Sequence, residues 1–267
     1  MHHRRMVIAM VLLLTSTAPA LAEGPWWSIS GLVDYSVGDY GTGKDTTLLY
    51  IPFTLGVSPF DRLTLSGTIP YIWQDTQTVV VTGGGVAVRK KKERLLPTAA
   101  SSVTHTESGL GDVLVKGQYV LLEEQALLPE IRPYLKIKFP TADESRGLGT
   151  GEFDETVGVD FSKTFFDRLV GYVTLAYTFV GSPPGEDLRD SFGWSLGAAY
   201  GITEPLSVFT FLEGATAISP GEADPLEILF GAEYKLTKEL KLTGSVGRGL
   251  SNGSPDYEIS GGFTVRF

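Results

Sequence analysis

Side chains able to make or break bonds are scarce in this chain. The three histidines are His2, His3 and His105, and only the last lies away from the N-terminus. Ser251-Asn252-Gly253 sets a hydroxyl beside an amide, but nucleophilic catalysis also needs a base within hydrogen-bond reach. No histidine precedes that serine in the same segment, so the dyad of a hydrolase is incomplete. His105 reads instead as a solvated residue of a long loop. Cysteine is absent, which removes disulfides and thiolate metal sites together. No His, Asp or Glu cluster has metal-ligand spacing. These readings point away from an enzyme, a bound metal and a cofactor.

The charged residues form two groups. Arg89, Lys90, Lys91, Lys92 and Arg94 make one basic run. Such a run suits the phosphates of lipopolysaccharide at an outer surface, or it is a solvated stretch of loop. The second group is scattered through segments that are otherwise apolar: Asp112, Lys116, Arg132, Lys136, Lys138, Asp160, Glu213, Glu227, Glu233 and Glu258. A charge so placed needs a partner or water. The group therefore either pairs across a filled interior or lines an aqueous lumen, with a basic stripe facing an acidic one.

The elements that must position these charges are about twelve segments of roughly ten residues in which every second residue is apolar. In the last, Tyr257, Ile259, Gly261, Phe263, Val265 and Phe267 share one face, while Glu258, Ser260, Gly262, Thr264 and Arg266 share the other. In the segment from Ile131 to Phe139, Arg132, Tyr134, Lys136 and Lys138 lie opposite Pro133, Leu135, Ile137 and Phe139. Near the start, Trp27, Ile29, Val33, Tyr35 and Val37 lie opposite Ser28, Ser30, Asp34 and Ser36.

A soluble sandwich would also alternate, so the connections decide. Ser58 to Arg62, Phe166 to Arg168, Thr203 to Pro205 and Lys238 to Glu239 are short, with a longer link from Glu123 to Glu130. The links between them are longer or richer in charge, Gly and Pro: 40 to 45, 74 to 108, 143 to 151, 182 to 190, 219 to 225 and 252 to 256. Turns at one end and loops at the other define a bacterial outer-membrane barrel. A segment of about eleven residues, rising about 3.3 Å each and tilted roughly 40°, spans about 28 Å, close to the apolar band such barrels offer to lipid. An open edge in hydrocarbon would leave backbone groups unpaired at several kcal/mol each. The expected fold is therefore all-β, a closed transmembrane antiparallel up-and-down β-barrel of about twelve strands.

The N-terminus carries Arg4 and Arg5, an apolar run from Met6 to Leu14, and small residues ending in Ala20-Leu21-Ala22. This reads as a signal peptide over residues 1–22, cleaved before Glu23, with the barrel over 23–267. Its loss leaves a net charge of −11 from the −9 of the whole chain, because Arg4 and Arg5 go with it. So acidic a chain is no partner for nucleic acid, whose phosphates need Lys and Arg.

Two further features bear on the wall. Trp26, Trp27, Tyr71, Trp73, Tyr119, Tyr172, Tyr177 and Tyr200 fall near segment ends, where an aromatic girdle belongs. Pro52 and Pro70 interrupt two consecutive segments roughly opposite one another. Proline cannot donate to the ladder, so the pair either bends the wall at a bulge or opens a lateral gap for apolar solutes. Within the longest loop, Thr82-Gly83-Gly84-Gly85 joins Val79–Val81 to Val86–Val88 as a turn, so the loop stands up as a hairpin or folds inward as a plug.

Gly109-Leu110-Gly111-Asp112 leading into one strand, Lys138-Phe139-Pro140-Thr141-Ala142-Asp143 closing the next, and Leu148-Gly149-Thr150-Gly151 before a third resemble the MetA-pathway of phenol degradation family of outer-membrane transporters. The resemblance implies a barrel for uptake or efflux of small, often aromatic or apolar, compounds, and it supplies no catalytic residues. Phe267, with Phe263 and Val265 on its face, also looks like the C-terminal signal read by the barrel-assembly machinery. The expectation is a channel of the Gram-negative outer membrane that passes a small-molecule solute. The alternatives are a structural or adhesion barrel whose long loop binds surface partners and, more weakly, an outer-membrane hydrolase.

Overall fold

The computed structural model describes residues 26–40, 45–76, 79–82, 85–88 and 105–267. Residues 1–22 and the run from Arg89 to Arg94 lie outside them, and with them the signal-peptide and lipopolysaccharide readings. The first half contains β1 (Trp26–Gly38), β2 (Thr46–Phe60), β3 (Leu63–Thr76), β4 (Val79–Thr82), β5 (Gly85–Val88), β6 (His105–Leu110), β7 (Val113–Tyr119) and β8 (Glu130–Phe139). The second contains β9 (Asp154–Phe165), β10 (Leu169–Val180), β11 (Ser191–Gly201), β12 (Leu206–Ala215), β13 (Leu226–Lys235), β14 (Leu240–Gly249) and β15 (Tyr257–Arg266). One 3₁₀ turn, Glu144–Arg146, interrupts the β8–β9 loop.

Each wall strand pairs antiparallel with its sequence neighbour, and β1 pairs with β15 from Ser28↔Arg266 to Val37↔Tyr257, so the sheet closes on itself. β6 and β7 lie end to end against β3 and count as one wall strand, which makes a closed 12-strand antiparallel barrel. Closure leaves no open sheet edge to expose backbone groups to the hydrocarbon layer. The alternation does the rest. Trp27, Phe53, Ile69, Leu196, Phe230 and Ile259 are exposed on one face, while Asp34, Gln74, Lys138, Glu213 and Glu258 are buried on the other. An exposed apolar exterior around a buried polar interior is the arrangement of a barrel in lipid, the reverse of a soluble core.

The connections follow the expected asymmetry. The β2–β3, β9–β10, β11–β12 and β13–β14 links are tight turns at one end, with Phe166 and Asp167 taking positive φ of 52° and 61° in the β9–β10 turn. The longer loops gather at the other end. There the Val79–Thr82 and Gly85–Val88 runs do form a hairpin, in register from Val79↔Val88 to Thr82↔Gly85.

Pro52 and Pro70 face each other directly in the β2–β3 register. At the same level the β1–β2 ladder lapses between Gly31↔Phe53 and Asp34↔Tyr50, and β6 gives way to β7, with the Gly111 amide donating to the Pro70 carbonyl at 2.8 Å. Four neighbouring wall strands therefore deviate together where the prolines cannot donate. Both prolines are fully buried, as in a continuous bent wall.

Two expectations need correction. His105 is not in a loop: it opens β6 opposite Thr76, because the strands here run on past the apolar band and no longer need an apolar face. The aromatic girdle loses two members. Trp27, Tyr71, Tyr119, Tyr177 and Tyr200 are exposed outward, but Trp26 shares the inward face with Ser28, and Arg266 lies 4.2 Å over its ring. Tyr172 also points inward and packs on Phe211 with ring centroids 5.8 Å apart. Position near a strand end does not decide facing; the parity of the pleat does.

Candidate functional site

The candidate site is the barrel interior, built by every second residue of twelve wall strands. On its loop side the three glycine-rich motifs meet. Lys138 on β8 is 1% exposed, and its Nζ reaches Asp154 Oδ2 at 3.0 Å, Asp112 Oδ2 at 3.3 Å and Thr150 Oγ1 at 2.8 Å. Asp112 accepts from the Ala142 amide at 2.9 Å, and Asp154 from the Gly181 amide at 3.0 Å. The β8–β9 loop is thereby tied to the wall at both ends. Leu148 of that loop is buried against Gly109, where a Cβ would come within 2.7 Å of Leu148 Cδ1. Gly149 sits so close to the Asp112 carboxylate that a side chain there would lie 2.8 Å from both oxygens. Asp143 caps the 3₁₀ turn by accepting from the Ser145 hydroxyl at 2.6 Å and amide at 3.0 Å, which holds its carboxyl below the usual carboxylate range. Tyr40, Ile218, Ser219, Ser254 and Pro255 from three other loops are buried as well. Burial pushes the Tyr40 phenol upward, against the Ser36 hydroxyl 3.5 Å away.

Further toward the turns the same wall is looser. Lys116 on β7 lies 3.7 Å from Asp160 Oδ2, and Asp160 also accepts from Gln118 at 2.6 Å and Thr174 at 2.8 Å. Arg132 Nε lies 3.1 Å from Glu130 Oε1. These four side chains keep between 12% and 22% of their surface accessible. Rings lie against bare backbone nearby. Phe211 covers Gly197 and Tyr134 covers Gly158, positions where any Cβ would collide with the ring. Phe209 and Phe211 meet edge to face at 5.9 Å.

The other wall is acidic. Glu213 accepts from Ser195 Oγ at 3.3 Å. Glu227, Glu258 and Asp34 are buried beside it, with neither oxygen of Asp34 and one oxygen of Glu227 bonded within the described residues. Glu233 differs: Lys241 Nζ lies 3.1 Å from its Oε1. In the strand order β7 and β8 are separated from β12, β13, β15 and β1 by other strands on both sides, so the two sets occupy opposed walls. The basic side is not purely basic, since Asp112, Asp154, Asp160 and Glu130 are interleaved with its cations. Asp154 and Asp34 were not among the charged residues singled out by sequence, and Thr150 figured only within a glycine-rich motif. Parity along β1 and β9 marks Asp34 and Asp154 as inward, but nothing local ties either to its neighbours.

Ser251 Oγ donates to the Asp224 carbonyl at 2.7 Å and accepts from the Leu226 and Gly253 amides, so it ties the β14–β15 loop to the β12–β13 loop and the start of β13. Among the described residues no group of three His, Cys, Asp or Glu side chains is placed to hold a metal.

A closed transmembrane β-barrel with charged and aromatic side chains inside is thus the class of protein. The chain belongs to the MetA-pathway of phenol degradation family, whose profile matches residues 53–267. No curated protein matches it in sequence. Among solved structures it is similar to the COG4313 outer membrane channel from Pseudomonas putida F1, at 16% identity over 93% of this chain and 97% of that one, with a TM-score of 0.67. The NanC porin is similar at 12% identity over 90% and 98%, TM-score 0.55. The CymD monoaromatic hydrocarbon channel is similar at 13% identity over 92% and 89%, TM-score 0.50. At such identities these likenesses show a shared fold.

Proposed function

We propose that the protein is a passive channel of the Gram-negative outer membrane for small, aromatic or apolar compounds, with no catalytic role. One observation carries this reading: on the turn side the interior keeps accessible surface at Lys116, Arg132, Asp160 and Glu130, inside a wall that faces lipid. Charges there need water or an ion, and a hydrated interior is what solute passage requires. The inward rings of Tyr134, Tyr172, Phe209 and Phe211 offer aromatic solutes an apolar surface along the same route. The ten charged residues from Asp112 to Glu258 are, on this reading, its lining. Family membership and the likeness to other barrels, one of them a monoaromatic hydrocarbon channel, agree with it.

Export would use the leader of residues 1–22, and assembly would use the Phe267 terminus. The run from Arg89 to Arg94 would meet lipopolysaccharide outside. Liposome swelling and planar-bilayer recording of the purified barrel test the proposal. Small discrete conductance steps and swelling with small solutes are expected. A folded barrel that passes neither ions nor solutes would overturn it and return the adhesion reading to first place.

A further inference from the structure

Across β7 and β8, Lys116 and Lys136 stand directly opposite each other on the inward face. Like charges so paired repel, and a barrel interior is a costly place to keep them. Every other cation of this wall has a carboxylate. Lys138 has Asp112 and Asp154, Lys116 has Asp160, and Arg132 has Glu130. Lys136 makes neither a hydrogen bond nor an ion pair among the described residues and is half-buried; the carboxylate that attracts it, Asp154, is held by Lys138.

Its neighbours on the inward face are short. Lys136 aligns across the sheet with Thr156, Thr178 and Ser191, a row of short hydroxyls in which Thr156 and Thr178 bond each other at 2.9 Å. The next inward row toward the turns is Tyr134, Gly158, Ala176 and Gly193, in which the Tyr134 ring covers Gly158 and leaves Ala176 and Gly193 as the small residues beyond it. Lys116 Nζ, 4.1 Å above the Tyr134 ring, borders both rows.

We propose that Lys136, with Lys116 opposite, is an anion subsite of the lumen that takes the carboxylate of a small aromatic acid. The unpartnered ammonium supplies the charge, and Lys116 supplies a second donor for the other carboxylate oxygen. The shallow row beside Tyr134 receives the ring. This rests on the channel reading and narrows it: the favoured aromatic solutes are anionic, and a neutral aromatic gains nothing from Lys136.

The test is block of chloride current by benzoate in planar bilayers holding the full-length barrel, with benzyl alcohol as the neutral probe. Each variant is scored against its own chloride conductance. Lys136→Met is expected to raise the half-blocking benzoate concentration roughly tenfold, the loss of one charged hydrogen bond. Lys136→Arg should restore block, and benzyl alcohol should not distinguish the three proteins. Equal benzoate block in wild type and Lys136→Met overturns the subsite while leaving the channel standing. If the wild type conducts nothing, the channel reading fails separately. The subsite is then judged by saturation-transfer NMR of benzoate on the detergent-folded barrel, where a signal lost in Lys136→Met supports it and no wild-type signal overturns it.

Discussion

Lys138 and Lys116 lie on neighbouring strands of one wall and meet opposite conditions. Lys138, on the loop side, is 1% exposed and is held by two carboxylates and a hydroxyl. Lys116, nearer the turns, keeps 22% of its side chain accessible and leans on one carboxylate at 3.7 Å. The residues around them follow suit. Leu48, Ile72 and Asp34 are fully buried on the loop side, while Arg132 and Glu130 on the turn side are not. On the loop side Lys138 is buried and neutralised by Asp112 and Asp154; on the turn side Lys116, Asp160, Arg132 and Glu130 still keep accessible surface.

Substitutions at the two ends sharpen that contrast. The largest effect is expected at Lys138. Lys138→Met leaves Asp112 and Asp154 buried without their cation, a loss of about 3–5 kcal/mol. It should appear as a lower urea midpoint for unfolding from lipid vesicles, together with larger conductance once the β8–β9 loop is untied. An unchanged midpoint would mean that the Lys138 cluster does not hold the loop side together. Gly197→Ala is next, because its methyl group must displace the Phe211 ring. Overpacking of this kind costs about 1–3 kcal/mol, read from the same unfolding curves. A normal midpoint would show that the turn-side rings are free to move. Lys116→Met should do least, about 1 kcal/mol or below, since Asp160 keeps Gln118 and Thr174. If Lys116→Met destabilises the barrel as much as Lys138→Met, the contrast between the two ends is lost.

Much of this was legible from residue order. The alternation of Tyr257 to Phe267 named both faces of β15, and the positions of Pro52 and Pro70 foretold a joint disturbance of β2 and β3. The Gly109 to Asp112, Lys138 to Asp143 and Leu148 to Gly151 motifs were visible as motifs, but not as three parts of one junction. Trp26 and Tyr172 were misread as girdle because nearness to a strand end was given more weight than parity. His105 was misread because β6, beyond the apolar band, carries no alternating apolar face.

The sequence by itself determined that the chain is a barrel, which residues are greasy and wet on nearly every strand, and at which end the loops lie. These are consequences of the two-residue pleat and of link length, both local properties. Only the tertiary structure decided that Lys138 is neutralised by Asp112 and Asp154 while Lys136 makes no ion pair among the described residues. Strand register and loop path set which charges come within about 4 Å of each other, and at that range electrostatic energy depends on distance in space rather than along the chain.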